Sequence, residues 1–152
     1  MNIFKLILKT VPLLLICSCA YRPIDSNLIA IKNDSIYKSL GGGKVLVYNG
    51  ATWKHKIDNT SALEVWLNKN PLGQIMPKEY LILNIPLGKQ TFNLLHFDAF
   101  RFESKHDLII NDSTKIISLS PTIFSNSAKI TNKLPKKFQK YKKVELEGKR
   151  RD

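Results

Sequence analysis

The sequence predicts an all-β protein: a single antiparallel β-sandwich of about seven strands over residues 43–132, with a leader and tether before it and a basic tail after it. Three observations predict this. Short apolar runs recur at about ten-residue spacing from Lys44 onward, with Gly, Pro and Asn between them. Residues 62–68 alternate cleanly, with Leu63, Val65 and Leu67 on one face and Glu64 and Trp66 on the other, which is the period of a half-buried strand. No stretch of this region sustains a helical period. Hydrophobic residues make up 43% of the 152, enough for a core and too many for a disordered chain.

The elements follow in order. Residues 44–49 (Lys-Val-Leu-Val-Tyr-Asn) read as the first strand and 62–68 as the second. Asn68-Lys69-Asn70-Pro71 makes a turn into a short strand at 72–75. Residues 79–85 come next, with Leu81, Leu83 and Ile85 inward. Pro86-Leu87-Gly88 turns the chain into 89–96, where Phe92 and Leu94 face the core. Residues 100–110 follow, with a bend expected near Ser104. Asn111-Asp112-Ser113 precedes a strand at 114–120, and 128–131 offers a last one. Before the sandwich, Asp34 or Ser35 caps one or two helical turns through Leu40. Gly41-Gly42-Gly43 reads as a flexible linker.

The first twenty residues carry a different signal. Lys5 and Lys9 with no acid form a positive n-region, Val11-Pro12-Leu13-Leu14-Leu15-Ile16 is a short apolar run, and small residues follow. This is the order of a secretory signal. A spanning helix needs about 20 mostly apolar residues, and Lys5, Lys9 and Pro12 interrupt the run. The segment Ile16-Cys17-Ser18-Cys19 resembles the lipobox of bacterial lipoproteins, with an aliphatic residue three before Cys19 and a small residue just before it.

That resemblance implies a signal peptide at 1–18, a thioether-linked diacylglycerol on Cys19 and a lipidated tether at 19–42. It implies a membrane location in the cell envelope and palmitate among the acyl chains. Ala20, where many inner-membrane lipoproteins have Asp, implies the periplasmic side of the outer membrane if the host has two membranes. The protein's two cysteines are then a lipid attachment and a discarded signal residue. They are too few for a disulfide-dense scaffold or a four-cysteine zinc site.

Charge is unevenly placed. The chain is formally +12, with 24 Lys+Arg and 12 Asp+Glu. Residues 133–152 hold nine of the basic residues against Glu145, Glu147 and Asp152, whereas 43–132 is nearly balanced. In the tail, Lys136, Lys137, Lys140, Lys142 and Lys143 interleave with Phe138 and Tyr141. This suits contact with an anionic surface, such as lipid headgroups or the acidic face of a partner. It also suits a solvated tail. Nucleic acid is not an expected partner, because the signal directs the chain out of the cytoplasm.

Within the sandwich, the opening Gly43-Lys44-Val45-Leu46-Val47-Tyr48, the strand, turn and Gly of 63–73, and the corner Ile85-Pro86-Leu87-Gly88 carry a second likeness. The region resembles a small bacterial lipoprotein domain of unknown function, similar to PEGA and carboxypeptidase-regulatory-like sandwiches. The resemblance implies a transthyretin-type sandwich of seven strands and no catalytic residues.

Motifs for chemistry are sparse. His55, His96 and His106 lack zincin spacing and are expected at the surface or on strand edges; no metal site is expected. His106 and Asp107, as neighbours on a strand, point to opposite faces. Ser35-Ile36-Tyr37-Lys38 matches Ser-x-x-Lys without the companion elements of penicillin-binding enzymes. No cofactor motif is present: Gly41-Gly42-Gly43-Lys44 lacks the spacing and the Ser/Thr of a phosphate loop.

The expected function is therefore a membrane-anchored, non-catalytic binding or scaffolding module. Its partners would be the bilayer through Cys19 and an envelope protein, glycan or anionic lipid. Trp53, Trp66 and Tyr80 are candidate outward aromatics. Trp66 is the best placed of them, or else it packs under a second sheet or the tether. The alternative is a small envelope enzyme or enzyme inhibitor with a site near His96 and Asp98.

Overall fold

The computed structural model describes residues 33–51, 61–98 and 100–145. The leader, Cys19, the first part of the tether, Trp53, His55 and residues 146–152 lie outside the described residues. A helix α1 (Asn33–Lys38) precedes nine strands: β1 (Lys44–Asn49), β2 (Leu63–Leu67), β3 (Asn70–Ile75), β4 (Glu79–Asn84), β5 (Gly88–Phe97), β6 (Arg101–Ile110), β7 (Ile116–Pro121), β8 (Asn126–Ile130) and β9 (Lys142–Lys143). A 3-10 turn, Phe138–Lys140, comes just before β9.

The strands form a five-stranded sheet, β8-β7-β1-β4-β9, and a four-stranded sheet, β3-β2-β5-β6. Among the described residues there are nine strands rather than about seven. The expected purely antiparallel order is also corrected: β1 pairs in parallel with β7, and β4 with β9. Alternation reports which side chains are buried; it does not report which strand lies alongside or in which direction it runs.

The two sheets close over a core that includes Val45, Val47, Leu63, Val65, Leu81, Phe92, Leu94, Ile117 and Leu119. The inward assignments of Leu63, Val65, Leu81, Leu83, Ile85, Phe92 and Leu94 agree with it. The five-stranded sheet buries its other face as well. Leu46 and Tyr48 of β1, Tyr80 of β4 and Ile116 of β7 join Ile36 and Leu40 of the N-terminal segment and Phe138 of the C-terminal segment in a second core. Adjacent residues of one strand therefore enter different cores. That is why β1 reads Val-Leu-Val-Tyr without a polar position: a strand covered on both faces is apolar throughout.

The tail expected at 133–152 is, over its described part, built into this body. Phe138 and Val144 are buried, and the Val144 N–H donates to Tyr80 O at 2.9 Å. Residues 133–145 thus form a strap across the five-stranded sheet, and the boundary expected at 132 moves.

The glycine run is also part of the fold. Gly41, Gly42 and Gly43 all have positive φ, at 118°, 58° and 87°, a region open to glycine and costly to other residues. Gly43 O accepts the Ile85 N–H at 2.8 Å, and a Cβ on Gly43 would lie 2.7 Å from Ile85 O. A tight turn replaces the expected linker because β1 must start directly against the end of β4. The bend expected near Ser104 is absent. β5 and β6 pair in unbroken register from Gly88↔Ile110 to Phe97↔Arg101. The irregularity lies instead in β3, where Leu72 is extra between the pairs Val65↔Gly73 and Trp66↔Pro71. Pro71 is tolerated there because β3 is an edge strand.

Candidate functional site

The strap presents the lysines that the sequence singles out. Phe138 packs on Tyr80 with ring centroids 4.9 Å apart, and Tyr141 meets Tyr48 edge-on at 5.7 Å. These contacts turn the aromatic residues of the strap toward the sheet. Lys136, Lys137, Lys140 and Lys142 are left exposed, while Lys143 is half-buried and pairs with Glu145 at 2.7 Å. The Lys143 hydrogen bond holds the Glu145 carboxyl below its usual range. Burial pushes the phenols of Tyr80 and Tyr141 above their ordinary value. Tyr80, a candidate outward aromatic, is therefore corrected to the inside; the strap covers it.

Trp66 is half-buried on the outer face of the four-stranded sheet, between Pro71 and Asn93 in register. With Glu64, Val65, Pro71 and Gly73 it lines a mostly apolar groove of about 300 Å³. The bulge in β3 produces this groove by breaking the regular pleat beside Trp66. Its volume is at the low end of ligand pockets, and it holds one carboxylate, Glu64, at its wall.

The expectation of a surface or edge position is corrected for His96, whereas His106 lies on the edge strand β6. His96 is buried, its ring stacks on Phe102 at 5.0 Å, and its Nδ1 lies 2.6 Å from Asn126 Oδ1. Asn126 Nδ2 donates to Leu94 O and Phe102 O. The group ties β8 of one sheet to β5 and β6 of the other. Strand alternation could not reveal this, because an inward-facing polar residue looks like an edge residue until its partner is known. Asp98 is exposed beyond the end of β5. The burial that encloses His96 does not extend to it.

His106 is half-buried against Ser104 Oγ at 2.9 Å, and loss of solvent holds its pKa below the ordinary histidine value. Asp107 points the other way. It accepts from Lys89 Nζ at 2.8 Å and Thr91 Oγ1 at 2.7 Å, which lower its pKa. Among the described residues no three His, Cys, Asp or Glu side chains are grouped so that they could hold a metal ion. Nor, among those residues, is any helix long and apolar enough to cross a membrane. Ser35 and Lys38 of the Ser-x-x-Lys match sit on α1 with both side chains exposed.

Sequence reasoning missed the apolar side chains at one end of the body. Phe97, Phe100, Ile123 and Phe124 are exposed around the β5–β6 and β7–β8 turns. Their signal was a large hydrophobic residue inside a turn, in Ile123-Phe124-Ser125-Asn126. Comparisons with family models, with curated proteins and with solved structures give no match.

Proposed function

We propose that the protein is a lipid-anchored component of the cell envelope whose β body serves as a non-catalytic binding or scaffolding module. The observation that carries the binding role is the strap: buried Phe138 and half-buried Tyr141 hold it down while four lysines are exposed. A cationic surface fixed in this way loses little further conformational freedom on contact, so more of the attraction is retained. The Ile16-Cys17-Ser18-Cys19 segment supports the anchor at Cys19. Two or more acyl chains make such an anchor stable. The anchor would keep the strap close to anionic headgroups or to an acidic envelope protein or glycan, raising its effective concentration there. The likeness to lipoprotein sandwich domains belongs to the same reading, as does the periplasmic face of the outer membrane.

Palmitate labelling of the full chain tests the anchor. Label is expected on the wild type and on Cys17→Ser and absent from Cys19→Ser; the reverse pattern moves the site. Truncation at Asn132 is a poor test of the strap, because it removes Phe138 and Val144 from the cores. Replacing Lys136, Lys137 and Lys140 by Gln leaves the buried residues in place. Each lysine near an anionic surface contributes about 1 kcal/mol at low salt. The triple variant is expected to release anionic vesicles at clearly lower salt than the wild type. Equal release would remove the strap from the reading.

A further inference from the structure

The exposed apolar residues fall toward the two ends of the body, with Leu87, Ile109 and Ile130 at one and the larger group, three of them aromatic, at the other. Seven large hydrophobic side chains are exposed among the described residues, and four of them, Phe97, Phe100, Ile123 and Phe124, belong to two hairpin ends. Their exposures are 51%, 73%, 67% and 81%. The β5–β6 turn follows the pair Phe97↔Arg101, and the β7–β8 turn follows Pro121↔Asn126. Asn126 joins the two hairpins at their base through His96 and the Phe102 carbonyl. Phe100 stands edge-on to Phe102 at 6.4 Å, continuing the stack on His96. The β7–β8 turn is closed by Thr122 N–H to Ser125 O at 2.8 Å, so it is a defined hairpin. Two braced hairpins thus carry aromatic and aliphatic tips toward solvent, where a protein of this size has no packing reason to place them.

The same end of the body carries cations. β1 and β7 run parallel toward it, and β4 starts from it, so the Lys78 turn and the start of β9 belong to that end. Lys78 and Lys142 are exposed there, and Lys142 N–H donates to Lys78 O. Arg101 lies beside the first tip. Glu79 is folded back onto the Met76 N–H at 2.8 Å, and Glu103 lies 3.4 Å from Arg101. Asp98 sits between Phe97 and Phe100, which suits shallow seating among headgroups rather than deep burial. Aromatic tips with cations around them match the chemistry of the bilayer interface, where rings sit at headgroup level and cations meet phosphates.

We infer that the β5–β6 and β7–β8 hairpin tips insert into the interfacial layer of a lipid bilayer, with Phe97, Phe100, Ile123 and Phe124 as the inserted side chains. The inference rests on the membrane reading proposed above and adds an orientation to it. Thirteen residues lie between Cys19 and Asn33, giving fourteen Cα–Cα steps. Fully extended at about 3.5 Å each they span roughly 50 Å. A body with a radius of gyration of about 13 Å can therefore turn this end to the membrane that holds its anchor.

Every strand and both cores among the described residues lie between Asn33 and Glu145, so the chain from Ala20 to Asp152 keeps all of them and has no cysteine. With it, binding to phosphatidylcholine vesicles containing phosphatidylglycerol is measured at high salt, where lysine contacts are screened. The wild type is expected to stay bound. F100S/F124S should bind at least tenfold more weakly with an unchanged melting curve, and Leu87→Ser, at the opposite end, should bind like the wild type. An environment-sensitive dye placed through F124C should be quenched by brominated lipid, and one placed through L87C should not.

Equal binding of F100S/F124S and wild type, no high-salt binding at all, or equal quenching at 87 and 124 would overturn the inference. A wild-type dimer that F100S/F124S abolishes, with vesicle binding unchanged, would overturn it in favour of a second copy of the chain. Labelling at Cys19 is scored separately on the full chain, so failure of the anchor and failure of the tips are distinct results.

Discussion

The five-stranded sheet has two covered faces, and they are covered by different means. On one side the four-stranded sheet supplies Leu63 and Val65 from β2 and Phe92 and Leu94 from β5, which pairs with β6 over ten residues. On the other side the cover is α1 and the strap, which is joined to the sheet by the two residue pairs of β9 and by ring contacts. The first cover is held by its own hydrogen-bonded sheet; the second depends on a few buried side chains. The second cover is therefore expected to open at lower cost than the first, with Val144 as its one buried link to the first core among the described residues. It is also the part that carries exposed Lys136, Lys137, Lys140 and Lys142.

That difference is open to direct tests. Phe92 is fully buried between the sheets, and Phe92→Ala is expected to cost about 3–5 kcal/mol, read as a lowered urea midpoint. Phe138 is buried under the strap, where the segment can relax around a truncated side chain. Phe138→Ala is expected to cost about 2–3 kcal/mol, below the usual range for a rigid core. Amide exchange should separate the two. In Phe138→Ala the Lys142 and Val144 N–H groups should exchange much faster, while those of β1 keep their protection. Equal acceleration throughout would mean that the two covers open as one unit.

Gly43→Ala acts where β1 enters both cores at once. The strained φ and the approach to Ile85 O predict a loss of more than about 1 kcal/mol, seen as a lower melting temperature without loss of strap protection.

The smallest effect concerns acid. Asp107, on the outer face of the four-stranded sheet, and Glu145, in the strap, both have lowered pKa values, chiefly from hydrogen bonds with Lys89 and Lys143. A carboxyl held low when folded stabilises the fold above its unfolded pKa and loses that contribution as pH falls through the folded value. The loss should begin near pH 4 and grow below it. Both groups are exposed, so it should be small and shrink with salt. Asp107→Asn should flatten the acid limb of overall stability. Glu145→Gln should alter only the exchange of the strap.

Much of the strand content was legible in the sequence. The alternation of Leu63, Val65 and Leu67, the inward Phe92 and Leu94, and the Asn68-Lys69 turn, with both residues at positive φ, are local consequences of period-two burial and turn chemistry. The unbroken Val45-Leu46-Val47-Tyr48 run also held a sign of the second core, since a strand without a polar position must be covered on both faces.

The rest depended on partners remote in sequence. Tyr80 and Trp66 both read as outward aromatics; Phe138, far along the chain, covers one and leaves the other beside a groove. His96 faces inward and is satisfied only because Asn126 arrives from the opposite sheet. The parallel pairing of β1 with β7, the packing of the strap and the meeting of two hairpin tips at one end were likewise decided in three dimensions. A strand's own pattern states how much of each side chain must leave water. Which segment removes it is decided by long-range closure of the chain, which leaves no period in the sequence.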